Sequence, residues 1–398
     1  RPYEAYDYNI LHETFNYGIG AQYMINKGNY ITADCYADHF SSSYCFFKDN
    51  KTYNGKAGEE QVRKRTRNHN LSIKGIFKLG NRHKLSVGTE YIVDVLKSQT
   101  DNIAKEDAYT LALFAQDEIK LLRNLQALIG VRYIYHENFK NHATPNVALM
   151  YKPGKFNFRA SYAAGFRTPT LSELYATDIA KKNDRLTIGN LDLKPEKNNY
   201  FSLSAEYVHE RFSVSVNAFY NNIRDMIDYN TIATGDKAME QYGHKEVRQR
   251  DNIAEAKVHG INVSANAYLG AGFNLSGGYT HLNTQDVELE QPIDKSIKNA
   301  YNINAQWAHS WKIYRLNINL NGRINSKRFS KSYGYAPEYQ LWDLNTRHSF
   351  NLKSVIIEPG CGIENLFDYT DDRPYNSNYA TLTPGRSFYI SLSLKFKS

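Results

Sequence analysis

The stretch SFYISLSLKFK (Ser387–Lys397) alternates apolar and polar residues without interruption. Successive side chains of a β-strand point to opposite faces, so a period of two places one kind of residue on each face. The apolar face carries Phe388, Ile390, Leu392, Leu394 and Phe396. The polar face carries Tyr389, Ser391, Ser393 and Lys395. The pattern therefore predicts a long strand with two chemically different faces.

The same period recurs in FSLSAEY (Phe201–Tyr207) and YRLNINLNGRI (Tyr314–Ile324). Such strands run to ten or more residues, whereas strands of soluble proteins have about 5 to 6. Their polar faces are rich in Ser, Asn and Arg. Long strands with a polar interior and an apolar, aromatic-edged exterior are typical of outer-membrane β-barrels. Aromatic residues near predicted strand ends, such as Tyr133 and Trp307, fit the girdles at membrane interfaces.

The connections between these strands alternate between two lengths. Short turns are predicted at 26–28, 80–82, 122–124, 152–155, 209–211 and 269–272, and near 310–312 and 351–353. Long loops are predicted at 39–66, 98–107, 136–144, 167–198, 228–248, 284–298, 326–339 and 367–386. In bacterial barrels the short turns are periplasmic and the long loops extracellular. The sequence therefore predicts an all-β fold, a transmembrane antiparallel β-barrel with about 17 strands in this chain.

Composition excludes several other classes of protein. The chain has 398 residues with a net charge of +8, and its mean hydropathy is −0.61. No window of about 18 apolar residues could form a transmembrane helix. The densest basic run, VRKRTRNHN (Val62–Asn70), is short, so nucleic-acid binding is not expected. Neither a GxSxG nor an HExxH motif is present, and we do not expect an enzyme.

The three cysteines leave two interpretations open. Cys35 and Cys45 are separated by nine residues, and Cys361 stands alone. A local disulfide between Cys35 and Cys45 would suit an exposed loop in an oxidising compartment. Two free thiols are the alternative. No Cys/His spacing typical of a zinc site occurs.

Two motifs carry a family resemblance. GFRTPTLSELY (Gly165–Tyr175), followed by GNLDLKPEKNN (Gly189–Asn199), resembles the paired FRAP and NPNL-type motifs of TonB-dependent outer-membrane receptors. Further stretches agree with that family in the same order, namely Leu111–Leu122, His142–Pro153, Asn252–Val263, Glu364–Tyr369 and Thr383–Phe396.

The resemblance implies a larger receptor than this chain. Such receptors have a 22-stranded barrel filled by an N-terminal plug domain, and the inner-membrane TonB complex supplies energy for uptake. Residues 1–398 would then be the C-terminal portion of the barrel, with the plug and about five strands outside this chain. The odd strand count agrees with this interpretation, since single-chain bacterial barrels have even numbers. The expected location is the outer membrane of a Gram-negative bacterium, crossed many times.

The resemblance also places the loop at 166–198 beside an extracellular ligand vestibule. Its candidate binding residues are Phe166, Arg167, Tyr175, Arg185 and Asn190. A purely architectural role for the two motifs is an equally open interpretation. Two further loops supply a second set of basic and aromatic candidates, comprising Arg328, Tyr333, Tyr335, Arg373 and Tyr375.

The identity of the ligand stays open at this stage. Receptors of the haem branch carry a His between the two motifs, but none lies between Phe166 and Asn190. Histidines of other predicted loops remain candidate haem-iron ligands, as does Tyr175, because tyrosinate also ligates haem iron. These histidines are His39, His136, His142 and His244. A ferric siderophore instead needs aromatic residues and positive charge, and no protein donor to iron.

We therefore expect an iron complex, haem or ferric siderophore, as the transported ligand, and no intrinsic cofactor. Cobalamin is the next alternative, followed by an oligosaccharide or peptide imported with a surface lipoprotein. A passive porin-type channel is the alternative from another class. The expected partners are the TonB complex, the receptor's own N-terminal plug fragment and outer-membrane lipids.

Overall fold

The structure is a computed structural model that describes residues 7–51, 53–180, 184–330, 334–371 and 384–397. Within these ranges the chain forms seventeen strands of ten or more residues, four short strands and two helices. No helix in the described ranges combines the length and the apolar character needed to cross a membrane. The long strands are β1 Tyr8–Asn26, β2 Asn29–Phe46, β3 Glu60–Leu79, β4 His83–Ser98, β5 Ile103–Leu122, β6 Leu125–His136, β7 Lys140–Tyr151, β8 Phe156–Arg167, β11 Glu196–Val208, β12 Phe212–Thr234, β13 Glu246–Gly270, β14 Phe273–Asp286, β15 Asn299–Trp311, β16 Tyr314–Asn325, β19 Tyr339–Asn351, β20 Val355–Glu364 and β21 Ser387–Phe396. The short elements are α1 Leu171–Tyr175, β9 Thr177–Ala180, β10 Arg185–Ile188, α2 Gly235–Tyr242, β17 Arg328–Ser330 and β18 Gly334–Ala336.

The seventeen long strands confirm the predicted all-β class and strand number, and the short turns fall where the sequence predicted them. Several of the loops, however, are shorter than predicted. The expected loop at 39–66 contracts to 47–59, that at 98–107 to 99–102, and that at 136–144 to 137–139. The reason is that these strands continue past the alternating segments. There both faces of a strand meet polar surroundings, so pairing persists while the apolar–polar period disappears.

The chain divides into two compact units. The first unit contains residues 1–148, 163–199 and 223–255. In it β1 to β6 pair antiparallel, each strand with the next along the chain. Strands consecutive in sequence pair easily because a tight turn suffices to connect them.

The two faces of these strands have opposite chemistry. On β3 the side chains of Leu71 and Ile73 are 48% and 44% exposed. The polar face is satisfied by hydrogen bonds, since Asn70 Nδ2 donates to Glu90 Oε1 at 2.8 Å and Arg132 also pairs with Glu90. An exposed apolar face and an internally bonded polar face reverse the arrangement of a soluble sheet and match that of a transmembrane barrel.

The second unit contains residues 149–162, 200–222 and 256–398. Its strands β13 to β16 pair in chain order, β16 pairs with β19, and β19 to β21 continue the sheet. The polar face is rich in amides, and Asn304 Nδ2 donates to both Asn319 Oδ1 and Asn321 Oδ1 at 2.6 Å. On β21 the apolar side chains of Ile390 and Phe396 are 89% and 81% exposed.

Candidate ligand-binding site

The loop that follows β8 is organised by Arg167, the last residue of that strand. Its guanidinium donates from Nε to Glu196 Oε2 at 2.8 Å and from Nη2 to Glu196 Oε1 at 2.7 Å. Its Nη1 donates to Glu173 Oε2 at 2.9 Å. One cation is thus held between two carboxylates from the two ends of the loop. These contacts agree with the architectural interpretation of the motif, and the role of Arg167 as a ligand contact stays a prediction.

The helix α1 begins with a capping box inside this loop. The Thr170 side chain accepts from the Glu173 N–H at 3.2 Å, and Glu173 Oε2 accepts from the Thr170 N–H at 2.8 Å. This reciprocal arrangement satisfies backbone donors at the start of a helix. Burial alone would raise the pKa of Glu173, but hydrogen bonds from Arg167 and Thr170 hold it below its ordinary value. Glu173 is therefore anionic at neutral pH.

A small apolar core lies under the same loop. Leu174, Leu193 and Ile227 are buried together, with Phe139 and Tyr175 packed against them.

Gly189 lies close to α1. A Cβ at Gly189 would lie 2.4 Å from the carbonyl oxygen of Leu174, so only glycine allows this approach. Asn190, another predicted contact, accepts from the Asp192 N–H at 2.9 Å and shapes the turn. The second motif thus also serves the architecture of the loop.

A three-stranded assembly completes the loop. β9 and β10 form an antiparallel hairpin, and β10 runs parallel to the start of β13, where Arg185 lies opposite Glu246. A second apolar cluster anchors it, formed by Ala233, Ala238 and Val247 with Leu186, Ile188, Ile232 and Tyr242 packed against it.

Arg185, unlike Arg167, has a guanidinium nitrogen without a hydrogen-bond partner. Its Nε is buried without a hydrogen-bond partner. Nearby on β9, burial raises the pKa of Asp178, a shift that Arg185 partly opposes. Arg185 therefore keeps a guanidinium donor that makes no hydrogen bond among the described residues.

A cage of aromatic rings at the loop-side end of β2 was missed by the sequence interpretation. The rings of Tyr8 and Tyr44 stack at 4.4 Å, and Tyr53 meets Tyr44 edge-on at 5.0 Å. The guanidinium of Arg63 lies 5.1 Å from the Tyr44 ring centroid and 5.2 Å from that of Tyr53. Both distances are within the range of a cation–π contact. We call Tyr8, Tyr44, Tyr53 and Arg63 the tyrosine cage.

The cage depends on strand register. Pairing of β2 with β3 shifts between Ser42 and Ser43, so that Ser42 lies opposite Lys64 and Ser43 opposite Val62. Arg63 occupies the extra position of this bulge, a feature that re-aims a side chain. In the sequence, Arg63 stands out only as part of the basic run Val62–Asn70. That run does not show which tyrosines Arg63 contacts.

Two candidate haem ligands lie in strands rather than in the predicted loops. His39 is within β2, opposite Phe15 on β1, on the face that carries the exposed apolar residues of β1. His142 is within β7, where its ring stacks on Phe166 at 4.6 Å and Nε2 donates to the Phe139 carbonyl at 3.0 Å. The prediction that His39 and His142 belong to loops is therefore wrong.

The other two histidines are also engaged. His136, 7% exposed at the end of β6, accepts at Nδ1 from the Asn138 N–H at 3.1 Å. His244 lies between α2 and β13, where Nδ1 contacts Asp184 Oδ1 at 2.8 Å. That hydrogen bond lowers the pKa of Asp184. Burial raises the pKa of Tyr175, and Glu106 and Glu137 add to the shift, which disfavours the tyrosinate form.

The remaining predicted residues are dispersed. Arg328 begins β17 and Tyr335 lies in β18, a hairpin of the second unit, while Tyr333, Arg373 and Tyr375 lie outside the described residues. The three cysteines are free. Cys35 and Cys45 occupy the same extended strand, about 33 Å apart at about 3.3 Å per residue. A disulfide requires Cα atoms within about 7 Å, so the disulfide interpretation is wrong and the alternative of two free thiols agrees with the structure.

Residues 2–366 match the family described as TonB dependent receptor-like, beta-barrel. The chain belongs to this family. TonB-dependent receptors are transporters of the Gram-negative outer membrane rather than enzymes, in agreement with the expectation that the chain is not an enzyme. In the described residues no group of three or more His, Cys, Asp or Glu could hold a metal ion.

Solved TonB-dependent receptors share the fold of this one. The ferric enterobactin receptor PfeA of Pseudomonas aeruginosa, solved as a point mutant, has a TM-score of 0.79 and 18% identity over 98% of this chain and 62% of its own. The siderophore receptor PirA of Acinetobacter baumannii has a TM-score of 0.75 and 16% identity over 97% and 62%. The ferric preacinetobactin receptor BauA of the same species has a TM-score of 0.68 and 15% identity over 97% and 63%. This chain thus spans a little over three fifths of the length of these receptors.

Proposed function

We propose that this chain is part of an outer-membrane receptor that binds a ferric siderophore and imports it with energy from the TonB complex. The observation that carries the proposal is the tyrosine cage. It combines three aromatic rings with the cation of Arg63 at the end of β2 and β3 that adjoins the long loop 47–59.

The cage suits a siderophore because the chelator already encloses the iron. The receptor then needs apolar surface and positive charge, which rigid tyrosine rings and an arginine provide. The half-buried Arg185 in β10 would add a second cation to the same unit. The solved receptors with this fold include those for ferric enterobactin and ferric preacinetobactin, which favours the same class of ligand.

Haem is the weaker candidate because its iron needs an axial donor. His136 accepts a hydrogen bond at Nδ1, so its proton is on Nε2 and the neutral ring has no lone pair for iron. His142 and His244 each keep one ring nitrogen outside their hydrogen bonds and are the histidines that the haemin titration has to test. His39 lies on the opposite face of β2 from Tyr44, as the odd and even positions of a strand require. The raised pKa of Tyr175 disfavours tyrosinate ligation.

The complete receptor would contain a plug domain and about five further strands, in keeping with the share of the solved receptors that this chain covers. Its partners would be the TonB complex, this plug and the lipids of the outer membrane, with a surface lipoprotein as an additional partner for some ligands.

The test is a binding titration of the complete receptor in detergent. Binding is monitored by intrinsic fluorescence and, for haemin, by absorption. The probes are ferric enterobactin as a catecholate complex, a ferric hydroxamate and haemin. We expect saturable quenching by an iron–siderophore complex, and no Soret shift with haemin. Arg63→Gln should weaken binding about tenfold, the effect of losing about 1.4 kcal/mol.

Arg82→Gln is the matched control, since Arg82 lies in the short turn 80–82 at the other end of β3. It should bind like the wild type. A second variant, Tyr53→Leu, tests the cage without altering charge. Equal affinity of Arg63→Gln and wild type would exclude the cage as the binding site. A saturable Soret shift lost with one histidine would assign the receptor to haem.

A further inference from the structure

The basic run at Val62–Asn70 is split by β3 into two faces. Arg65, Arg67 and His69 are exposed, while the intervening Thr66, Asn68 and Asn70 are less exposed. The exposed series continues along the strand into Leu71 and Ile73, 48% and 44% exposed. A single face of β3 therefore changes from apolar to basic at His69.

Neighbouring strands extend this basic region. Arg65 lies opposite Lys97 on β4, and Arg67 lies opposite His39 on β2. Directly opposed residues of an antiparallel pair share a face. We call Arg65, Arg67, His69, Lys97 and His39 the basic patch.

The cations of the patch are not neutralised. In the described part of the chain neither arginine nor Lys97 has an ion-pair partner. Two carboxylates share this face. Asp107 pairs with Lys105 at 3.0 Å, and Glu13, which lies beside Arg65 and Arg67, accepts from Ser41 Oγ at 3.4 Å. The charges of Arg65, Arg67 and Lys97 together outweigh that of Glu13, so the face stays positive.

The height of the patch follows from residue counting. A tilted strand crosses the hydrocarbon layer in about 9 to 11 residues. Counted from Leu79, which adjoins the short turn 80–82, the crossing ends near His69. Counted from His83 on β4, it ends near Val93. Arg67 lies two residues beyond this point, and Arg65 and Lys97 lie four residues beyond it, which places them at the level of the lipid head groups on the side of the long loops.

A cavity of about 370 Å³ opens within the patch. Its lining includes Glu13, Phe15, His39, Ser41, Arg65 and Arg67. The Nε2 atom of His39 is buried at this place without a hydrogen-bond partner. The cavity thus combines a polar ring nitrogen in need of a partner with two guanidinium groups.

We propose that the basic patch binds the phosphate groups of a lipid in the outer leaflet of the membrane. The guanidinium group of an arginine binds phosphate through two parallel hydrogen bonds. Basic side chains at the edge of an apolar belt attract anionic head groups. The exposed side chains of Leu71 and Ile73 would contact the acyl chains of the same lipid. The inference rests on the proposed outer-membrane location but not on the nature of the imported ligand.

The test uses the complete receptor in detergent and two probes, a bisphosphorylated glycolipid such as lipid A and the same lipid without its phosphates. Binding is measured by native mass spectrometry and by titration of a fluorescent form of each lipid. Arg65→Gln combined with Arg67→Gln should weaken binding of the phosphorylated lipid about tenfold. The unphosphorylated lipid should bind the wild type and the variant equally.

Lys74→Gln combined with Lys78→Gln is the matched control. It removes the same charge from even positions of β3, which lie on the other face. Equal binding of the two lipids to the wild type, or an equal loss in the control, would overturn the proposal. Binding of inorganic phosphate that prevents lipid binding at millimolar concentration would assign the patch to a soluble anion.

The iron-complex titration on the same variants separates the two proposals. We expect Arg65→Gln/Arg67→Gln to bind the ferric siderophore as the wild type does. If no iron complex binds the wild type while the lipid effect persists, the proposed function fails and the lipid site stands. The reverse pattern would reject the lipid site alone.

Discussion

The guanidinium of Arg167 and the carboxylate of Glu196 form two parallel hydrogen bonds, at 2.7 and 2.8 Å. Arg167 ends β8 and Glu196 begins β11, so this contact closes the base of the intervening loop. Glu196 Oε1 also accepts from the Ile227 N–H at 2.8 Å, which ties the loop base to β12. Because a planar guanidinium makes two parallel hydrogen bonds to a carboxylate, it fixes the relative orientation of the two side chains as well as their distance.

Replacing Arg167 by Lys should loosen this loop although it keeps the charge. A lysine cannot make the paired contact. The expected cost is about 1 kcal/mol, below the range of about 1.5–3 kcal/mol for hydrogen bonds to charged groups, because Arg167 is 42% exposed and solvent screens the contact. Limited proteolysis should cut residues 168–195 several times faster. Lys84→Gln, which breaks the exposed Lys84–Glu118 pair, should leave the rate unchanged. Equal rates for Arg167→Lys and wild type would contradict this role.

Gly189→Ala should disrupt the packing of the loop against α1. The new Cβ would lie 2.4 Å from the Leu174 carbonyl oxygen, a backbone atom that has to move. Hydrogen exchange at the amide of Asn190, which donates to the Glu173 carbonyl at 3.0 Å, should then accelerate. Gly277→Ala is the control, because its Cβ would meet Asn302 at an ordinary 3.5 Å. If the Asn190 amide is as protected in Gly189→Ala as in the wild type, the backbone at Leu174 can move aside without loss of stability.

Acid should release the capping of α1. The pKa of Glu173 is lower in the folded protein than its unfolded value of about 4.3. The ionised group therefore stabilises the loop above that value, and the contribution is lost as pH falls through the lower folded pKa. Exchange at α1, corrected for the intrinsic pH effect, should increase below about pH 4. Glu173→Gln should remove this pH dependence, and the same increase in that variant would assign it to another group.

All three cysteines should react with a thiol reagent as free thiols. Because Cys35 and Cys45 lie far apart on β2, the denatured protein should react with a thiol reagent to the same extent with or without prior reduction. Cys35→Ser should lower the count by one in both conditions. A count that rises only after reduction would show that a disulfide forms.

The positions of strands and turns could be predicted from the sequence for a simple reason. The membrane-facing side of each strand must be apolar and the other side polar, which marks each crossing by a period of two. Short turns such as 80–82 and 209–211 follow directly from the interruptions of that period. Beyond the crossing the apolar–polar period is lost, so the sequence predicts loops at His39 and His142 although both residues lie in strands.

The sequence by itself determined the all-β class, the seventeen long strands, their turns and the resemblance to TonB-dependent receptors, since each depends on residues close together in the chain. Only the structure decided that Arg63 meets Tyr44 and Tyr53, that Arg167 pairs with two glutamates, and that Cys35 and Cys45 lie in one extended strand. The contacts of Arg63 depend on strand register and on one β-bulge. The contact of Arg167 with Glu196 joins the two ends of a long loop. A shift by one residue would move every side chain to the other face, and local composition does not specify it.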